Sequence, residues 1–181
     1  MYLSIERHDN GVRCERDTDI IYDLAAGEAK FGTGATRGPS LRWRLGGAGE
    51  PTALLARLVD LTSAHDWIVR CDRVDFPPGS VAYRHTHPGP GIRCTLFGSL
   101  TIESNDSVSS YGPMEPWFEA GPEPVRATAD ADNASAFVRV MLLPAQWAGR
   151  RTITYVDPAD ADRPKLQRPT VFFDRRIELR A

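Results

Sequence analysis

The chain has 181 residues, of which 41% are hydrophobic and 25% charged, and its formal net charge is −2. That balance supports one ordinary folded core and excludes a disordered chain, while 22 dispersed basic residues leave no electrostatic footprint for nucleic acid. Cys14, Cys71 and Cys94 are odd in number and widely spaced, which argues against a disulfide framework or a thiolate zinc site and fits a reducing compartment. The segment Met1 to His8 mixes acidic and basic residues and lacks the apolar stretch of a signal peptide or membrane span, so a cytoplasmic protein with small-molecule partners is expected.

Residues 1 to about 50 are rich in glycine, with sustained apolar runs only at Ile20 to Tyr22 and Leu41 to Leu45. They read as an extension wrapped on a core. Such extensions often cover sheet edges in the same chain or in a partner, so a homodimer is expected. In Pro51 to Leu61, Leu54, Leu55, Leu58 and Leu61 fit a helical face, while Leu55, Val59 and Leu61 fit the period of a strand. The polar run Thr62 to Asp66 suits a hairpin turn better than a helix interior, which favours the strand. Short runs of β-branched and aromatic residues follow at Trp67 to Phe76, Val81 to His87, Ile92 to Phe97, Leu100 to Glu103, Ala136 to Leu143, Thr152 to Val156 and Thr170 to Phe173. Punctuated by Gly and Pro, they predict an all-β barrel or sandwich in a single domain over residues 1–181.

The informative stretch is Gly79 to Gly98. On a strand over Val81 to His87, the residues Val81, Tyr83, His85 and His87 share one face, so both imidazoles converge on one point. A His-x-His pair on rigid backbone offers two metal ligands, and zinc, iron, manganese and nickel all accept neutral imidazole. The bland alternative is a hydrogen-bonded pair in a polar pocket.

These residues resemble the first motif of the cupin superfamily, in which a glycine, five residues, His-x-His, three or four residues, a glutamate, six residues and a glycine follow one another. Gly79, His85, His87 and Gly98 match in register. The resemblance implies a cupin-type double-stranded β-helix, or jelly-roll barrel, over about residues 65–145, with extensions over about 1–50 and 146–181. It departs at Gly91, which stands where the family has its glutamate ligand. A second departure lies in Gly112 to Val125, where Pro124 or Val125 replaces the family's histidine.

Glu119, at the end of a short strand, could complete a two-histidine, one-carboxylate metal set with His85 and His87 and act in catalysis; otherwise it is a turn-capping or exposed residue. Arg93 falls on the side where the family's glutamate would point, and its guanidinium would take either a substrate anion or, structurally, Glu119 or a backbone carbonyl. Tyr83 is a candidate acid or hydrogen-bonding group, and Trp117 a pocket wall that contacts substrate. His8 and His65 read as surface histidines. Arg150-Arg151 and Arg175-Arg176 read as solvated doublets. No Gly-x-Ser-x-Gly elbow, phosphate loop or dinucleotide motif occurs, so no nucleotide or flavin is expected. The expected function is a divalent-metal cupin enzyme acting on a small oxygen-rich or anionic metabolite, as oxygenase, isomerase, lyase or hydrolase. The alternative is a metal-free barrel that binds or senses a small molecule.

Overall fold

The computed structural model describes residues 1–46, 52–61 and 66–178. In the first part of the chain the strands are Tyr2–His8 (β1), Arg13–Cys14 (β2), Ile20–Asp23 (β3), Glu28–Phe31 (β4), Gly34–Ala35 (β5), Ser40–Gly46 (β6) and Leu55–Leu58 (β7). Five of them form an antiparallel sheet in the order β4-β3-β6-β1-β7, and β2 pairs with β5 in a separate ribbon. Alternation puts Leu3 and Ile5 of β1, Ile20 and Tyr22 of β3, and Leu41, Trp43 and Leu45 of β6 into one apolar cluster. The strand expected in Pro51 to Leu61 is β7. The hairpin turn expected over Thr62 to Asp66, and His65 with it, falls at residues 62–65 outside the described residues.

From Trp67 the strands are Trp67–Phe76 (β8), Val81–Thr86 (β9), Gly91–Phe97 (β10), Leu100–Glu103 (β11), Val108–Tyr111 (β12), Pro116–Glu119 (β13), Val125–Ala129 (β14), Ser135–Pro144 (β15), Thr154–Tyr155 (β16) and Arg168–Ile177 (β17). One sheet runs β13-β10-β15-β8-β17 and the other β12-β11-β14-β9-β16. The eight strands β8 to β15 pass between these sheets in the order of a jelly roll, two interlocked Greek keys that enclose a space between their inner faces.

The central strand β15 is buried along nearly its whole length, because both of its faces are covered. Its inner face meets the barrel interior. On the outer side, Val138, Val140 and Leu142 join Val69 and Cys71 of β8 and Ile92 and Cys94 of β10 in the cluster filled by the N-terminal sheet. Trp43, fully buried, also donates from Nε1 to the Ile92 carbonyl at 3.3 Å. Strands of residues 1–46 together with β7 therefore build a third sheet laid on a face. This corrects the expectation that they guard sheet edges: an apolar outward row needs more cover than an edge does. One edge of each barrel sheet is extended instead by the C-terminal segment, which adds β17 to β8 and β16 to β9. Between β15 and β17 the chain makes short 3-10 turns at Ala145–Trp147 and Pro158–Ala161 and crosses the open end of the barrel. Among the described residues no helix is long and apolar enough to cross a membrane.

Candidate functional site

The barrel encloses a cavity of about 550 Å³ whose lining changes character along its depth. Strand register fixes the order. Phe137 pairs with Val74, Arg139 with Asp72, and Met141 with Arg70. Stepping two residues at a time along the inner faces thus leads from an apolar floor of Val74, Phe76, Ala82, Ile102, Ala127 and Phe137, through a charged middle, to a mouth closed by Gly149 to Ile153, Lys165 and Gln167.

Both histidines reach this cavity, buried to 4% and 3% exposure. They do so by a route the alternation argument does not contain. In β9 the pairing runs His85 with Val125 and Ala82 with Ala127, so one extra residue is accommodated between Ala82 and His85 as a β-bulge. Ala82 and His85 both face inward, and Tyr83 does not line the cavity: Arg163 lies 4.9 Å over its ring. The expectation that Tyr83 shares the histidine face is corrected by this bulge. Gly121, at φ 51°, keeps the neighbouring turn clear, since a Cβ there would stand 2.7 Å from the His87 carbonyl.

The imidazoles face each other through Nε2 at 3.1 Å. Each Nδ1 is held by a backbone carbonyl, His85 by Tyr83 at 2.6 Å and His87 by Thr152 at 3.1 Å. With each Nδ1–H donating to its carbonyl, both Nε2 atoms are acceptors that meet inside the cavity, a contact that a proton held between them would relieve. Burial lowers the pKa of His85, partly opposed by the Tyr83 carbonyl. His87 is held well below its ordinary value by burial and then by the nearby Arg139 and Arg93. A histidine whose folded pKa is depressed stabilises the fold above its unfolded value near 6.5, and that stability is lost as pH falls below it. Unfolding titrations between pH 7 and 5 should therefore show stability falling by up to about 1.4 kcal/mol per pH unit for each of the two histidines, beyond the fall seen in a His85→Gln, His87→Gln variant. Parallel pH curves for the two proteins would contradict buried neutral imidazoles.

Charged side chains surround the pair in matched sets. Arg139 donates to Asp72 from Nε at 2.6 Å and Nη2 at 3.1 Å, leaving Nη1 3.3 Å from His87 Nε2. Arg70 makes the equivalent fork with Asp174, at 2.6 and 2.7 Å, and also donates to the Arg150 and Trp147 carbonyls. Glu119 faces the cavity, and its Oε1 accepts from Trp117 Nε1 at 2.9 Å. Behind it lies Arg93, fully buried and outside the cavity lining. Its Nη1 donates to the Gly91 carbonyl at 2.7 Å, and its Nη2 stands 2.7 Å from Glu119 Oε2 at an angle poor for a hydrogen bond. Burial pushes the Arg93 pKa down to about 10 against the pull of Glu119, which leaves it a cation at neutral pH.

Gly91 explains why the charge pattern is inverted relative to the cupin motif. A Cβ at that position would meet Val140 O at 2.5 Å, Met141 Cγ at 2.9 Å and Arg93 Nη1 at 3.0 Å. The space in which the family's glutamate would start is filled, and one of its occupants is a guanidinium. The histidine of the second motif is likewise replaced by an apolar wall, because Val125 pairs directly with His85 and lines the cavity.

The donor set can be tested against a divalent metal on these distances. Two nitrogens each about 2.1 Å from one ion stand about 3.0–3.4 Å apart, so the imidazole pair by itself suits two ligand positions. The remainder of the site does not fit. Glu119 Oε2 is 3.8 Å from His87 Nε2 and is held by Arg93, while Arg139 Nη1 presents a positive charge to the same nitrogen that would bind the ion. Among the described residues no three His, Cys, Asp or Glu side chains are grouped to hold a metal.

The jelly-roll strand order, the left-handed turns at Gly79 and Gly98 (φ 65° and 70°) that bound the motif, and the two inward histidines between them decide the fold. It is a jelly-roll barrel. Among solved structures with a similar fold are a protein of unknown function from Rhizobium leguminosarum bv. viciae 3841 (17% identity, 42% of this chain and 70% of that one, TM-score 0.39) and the polyketide cyclase RemF from Streptomyces resistomycificus (20%, 52% and 63%, TM-score 0.40). A cupin superfamily protein from Desulfitobacterium hafniense DCB-2 is similar at 15% identity over 48% of this chain and 74% of that one, with a TM-score of 0.38. No family model matches the chain, and no curated protein matches it.

Within the barrel, the structure brings His85, His87, Glu119 and Trp117 to one cavity and places Arg93 behind it and Tyr83 outside it. Sequence reasoning passed over Asp72, Arg139, Arg70 and Asp174. The signal was there: Arg70, Asp72 and Arg139 sit in the middle of strands that otherwise read as buried, and a charge in such a place needs a partner. Arg150 and Arg151, read as a solvated doublet, stand at the mouth.

Proposed function

We propose that this barrel binds a mainly apolar small molecule through a neutral oxygen function, without a resident metal, and that the His85–His87 pair moves a proton to or from that molecule. The observation that carries the reading is the pair itself: two buried imidazoles whose Nδ1 atoms lie against backbone carbonyls and whose Nε2 atoms meet at 3.1 Å in a cavity that is apolar below them. Arg139 is neutralised by Asp72, and Arg93 by Glu119, so the middle of the cavity holds no net charge to attract a full anion.

The chemistry this permits is general acid–base catalysis next to a carbonyl or hydroxyl. A proton leaving a carbon beside a carbonyl would pass to Nε2 of one histidine and be shared with the other across the 3.1 Å gap, while the substrate oxygen, gaining negative charge, would accept from Arg139 Nη1. The Tyr83 and Thr152 carbonyls hold both Nδ1–H groups and so steady the imidazolium that forms. Glu119, fixed by Trp117 and Arg93, supports the same cation by charge at 3.8 Å from His87.

The test uses 2-decanone in deuterated buffer. Wild-type protein should bind it and speed deuterium uptake at the carbons flanking its carbonyl, and His85→Gln should retain binding while losing most of that acceleration, about a hundredfold or more. Binding without exchange would remove proton transfer and leave a binding barrel. No binding of this or a shorter or longer ketone would overturn the cavity reading altogether.

A further inference from the structure

Five basic residues line the cavity, Arg70, Arg139, Arg150, Arg151 and Lys165, against three acidic ones, Asp72, Glu119 and Asp174. Arg70 is taken by Asp174 and Arg139 by Asp72. The surplus therefore lies in Arg150, Arg151 and Lys165, none of which has an acidic partner among the described residues. Arg151 donates to the Tyr155 hydroxyl at 2.7 Å and lies 5.4 Å over its ring, Lys165 Nζ lies 5.1 Å from the same ring, and Lys165 also donates to the Ala161 carbonyl. Gln167 lines the same rim, and its side-chain oxygen is buried without a hydrogen-bond partner. Rotated about its last bond, that amide would offer an N–H at the same place.

The position of this rim is set by register. The Arg139 row, level with the charged middle, is two residues along the strand from the Arg70 row, or about 6.5–7 Å, and Arg70 is bonded to the Arg150 carbonyl. Thr152, whose carbonyl holds His87, follows directly on Arg151. Uncompensated cations thus stand one step outside the neutral histidine centre, and apolar wall stands inside it.

The geometry points to an acidic head group at this rim. The ligand class is an apolar-tailed acid with a hydroxyl or carbonyl a few bonds from its acid group: tail on the Phe76 and Phe137 floor, oxygen function at His85 and His87, acid at Arg150, Arg151 and Lys165. A neutral middle and a cationic mouth orient such a molecule, since the acid reversed into the barrel would be desolvated with no free cation to meet it. This inference rests on the cavity reading proposed above and adds the charge and direction of the ligand.

Calorimetric titration with decanoic acid, 1-decanol and 3-hydroxydecanoic acid tests it, in the full chain and in an Arg150→Gln, Arg151→Gln, Lys165→Gln variant. Arg150 and Arg151 are exposed and Lys165 is half-buried at the mouth, and none of the three is ion-paired among the described residues, so the variant should fold, with retained decanol binding as the control. In low salt the wild type should bind decanoate about tenfold or more tightly than decanol, and 3-hydroxydecanoate more tightly still. The variant should lose the preference for acid over alcohol while keeping its affinity for decanol. Equal affinities for decanoate and decanol in the wild type, or an acid preference that survives in the variant, would overturn the head-group assignment and leave the cavity reading standing. Failure of all three compounds to bind would sink both.

Discussion

Replacing Asp72 with leucine should destabilise the fold by about 3–5 kcal/mol, measured by urea unfolding at pH 7. Asp72 is 1% exposed and accepts both arms of the Arg139 fork. Without it, the Arg139 guanidinium would remain buried beside Arg93, its neighbour across the β10–β15 register, and against His87, with no carboxylate of its own. The cost comes from the stranded charge more than from the lost bonds, so removing both partners in an Asp72→Leu, Arg139→Leu variant should recover most of the stability. A single-variant cost below about 1 kcal/mol would mean that Arg139 finds another buried anion, and the charge assignments at the centre of the cavity would have to be redrawn.

Trp43→Ala should be comparably severe, about 3–5 kcal/mol, although Trp43 is remote from the cavity. Its indole sits in the cluster shared by the N-terminal sheet and the outer faces of β8, β10 and β15, with Nε1 on the Ile92 carbonyl. Because that cluster joins the N-terminal sheet to the β13-β10-β15-β8-β17 sheet in one apolar mass, unfolding should remain a single cooperative transition in both wild type and variant. Two separated transitions would show that the first fifty residues fold independently of the barrel.

The parts of this architecture legible in the sequence are those where one physical demand acts alone. Trp67–Phe76 and Leu100–Glu103 read correctly to the residue because β-branched and aromatic runs end there in Gly, Pro or Ser turns. Val125–Ala129 and Val108–Tyr111 were missed, since small and polar residues carry little strand signal and are held in place by their neighbours in the sheet. Tyr2–His8 was missed for a related reason: its Leu3 and Ile5 alternate properly, but Glu6, on the other face, is itself buried against Arg42 and Thr52 and disguises the pattern.

At the site, the spacing Gly79, His85, His87, Gly98 located the cavity centre, and the missing ligands at Gly91 and Val125 were visible as departures. What filled those vacancies was not visible. That Arg93 lies over Gly91 and binds Glu119 depends on a cross-strand juxtaposition, as does the approach of Arg139 to His87. The turning of Tyr83 away from the histidines depends on a bulge, and one inserted residue reverses the facing of every neighbour without leaving a mark in local composition.

Paired guanidiniums, and not a metal ion, set the electrostatics around His85 and His87 in the proposed site. Metal content per chain, measured by mass spectrometry on dialysed protein purified without an affinity tag after growth in metal-replete medium, tests this most directly. Far less than one metal per chain, unchanged in a His85→Ala, His87→Ala variant, is the predicted result; near-stoichiometric transition metal that is lost in the variant would contradict it.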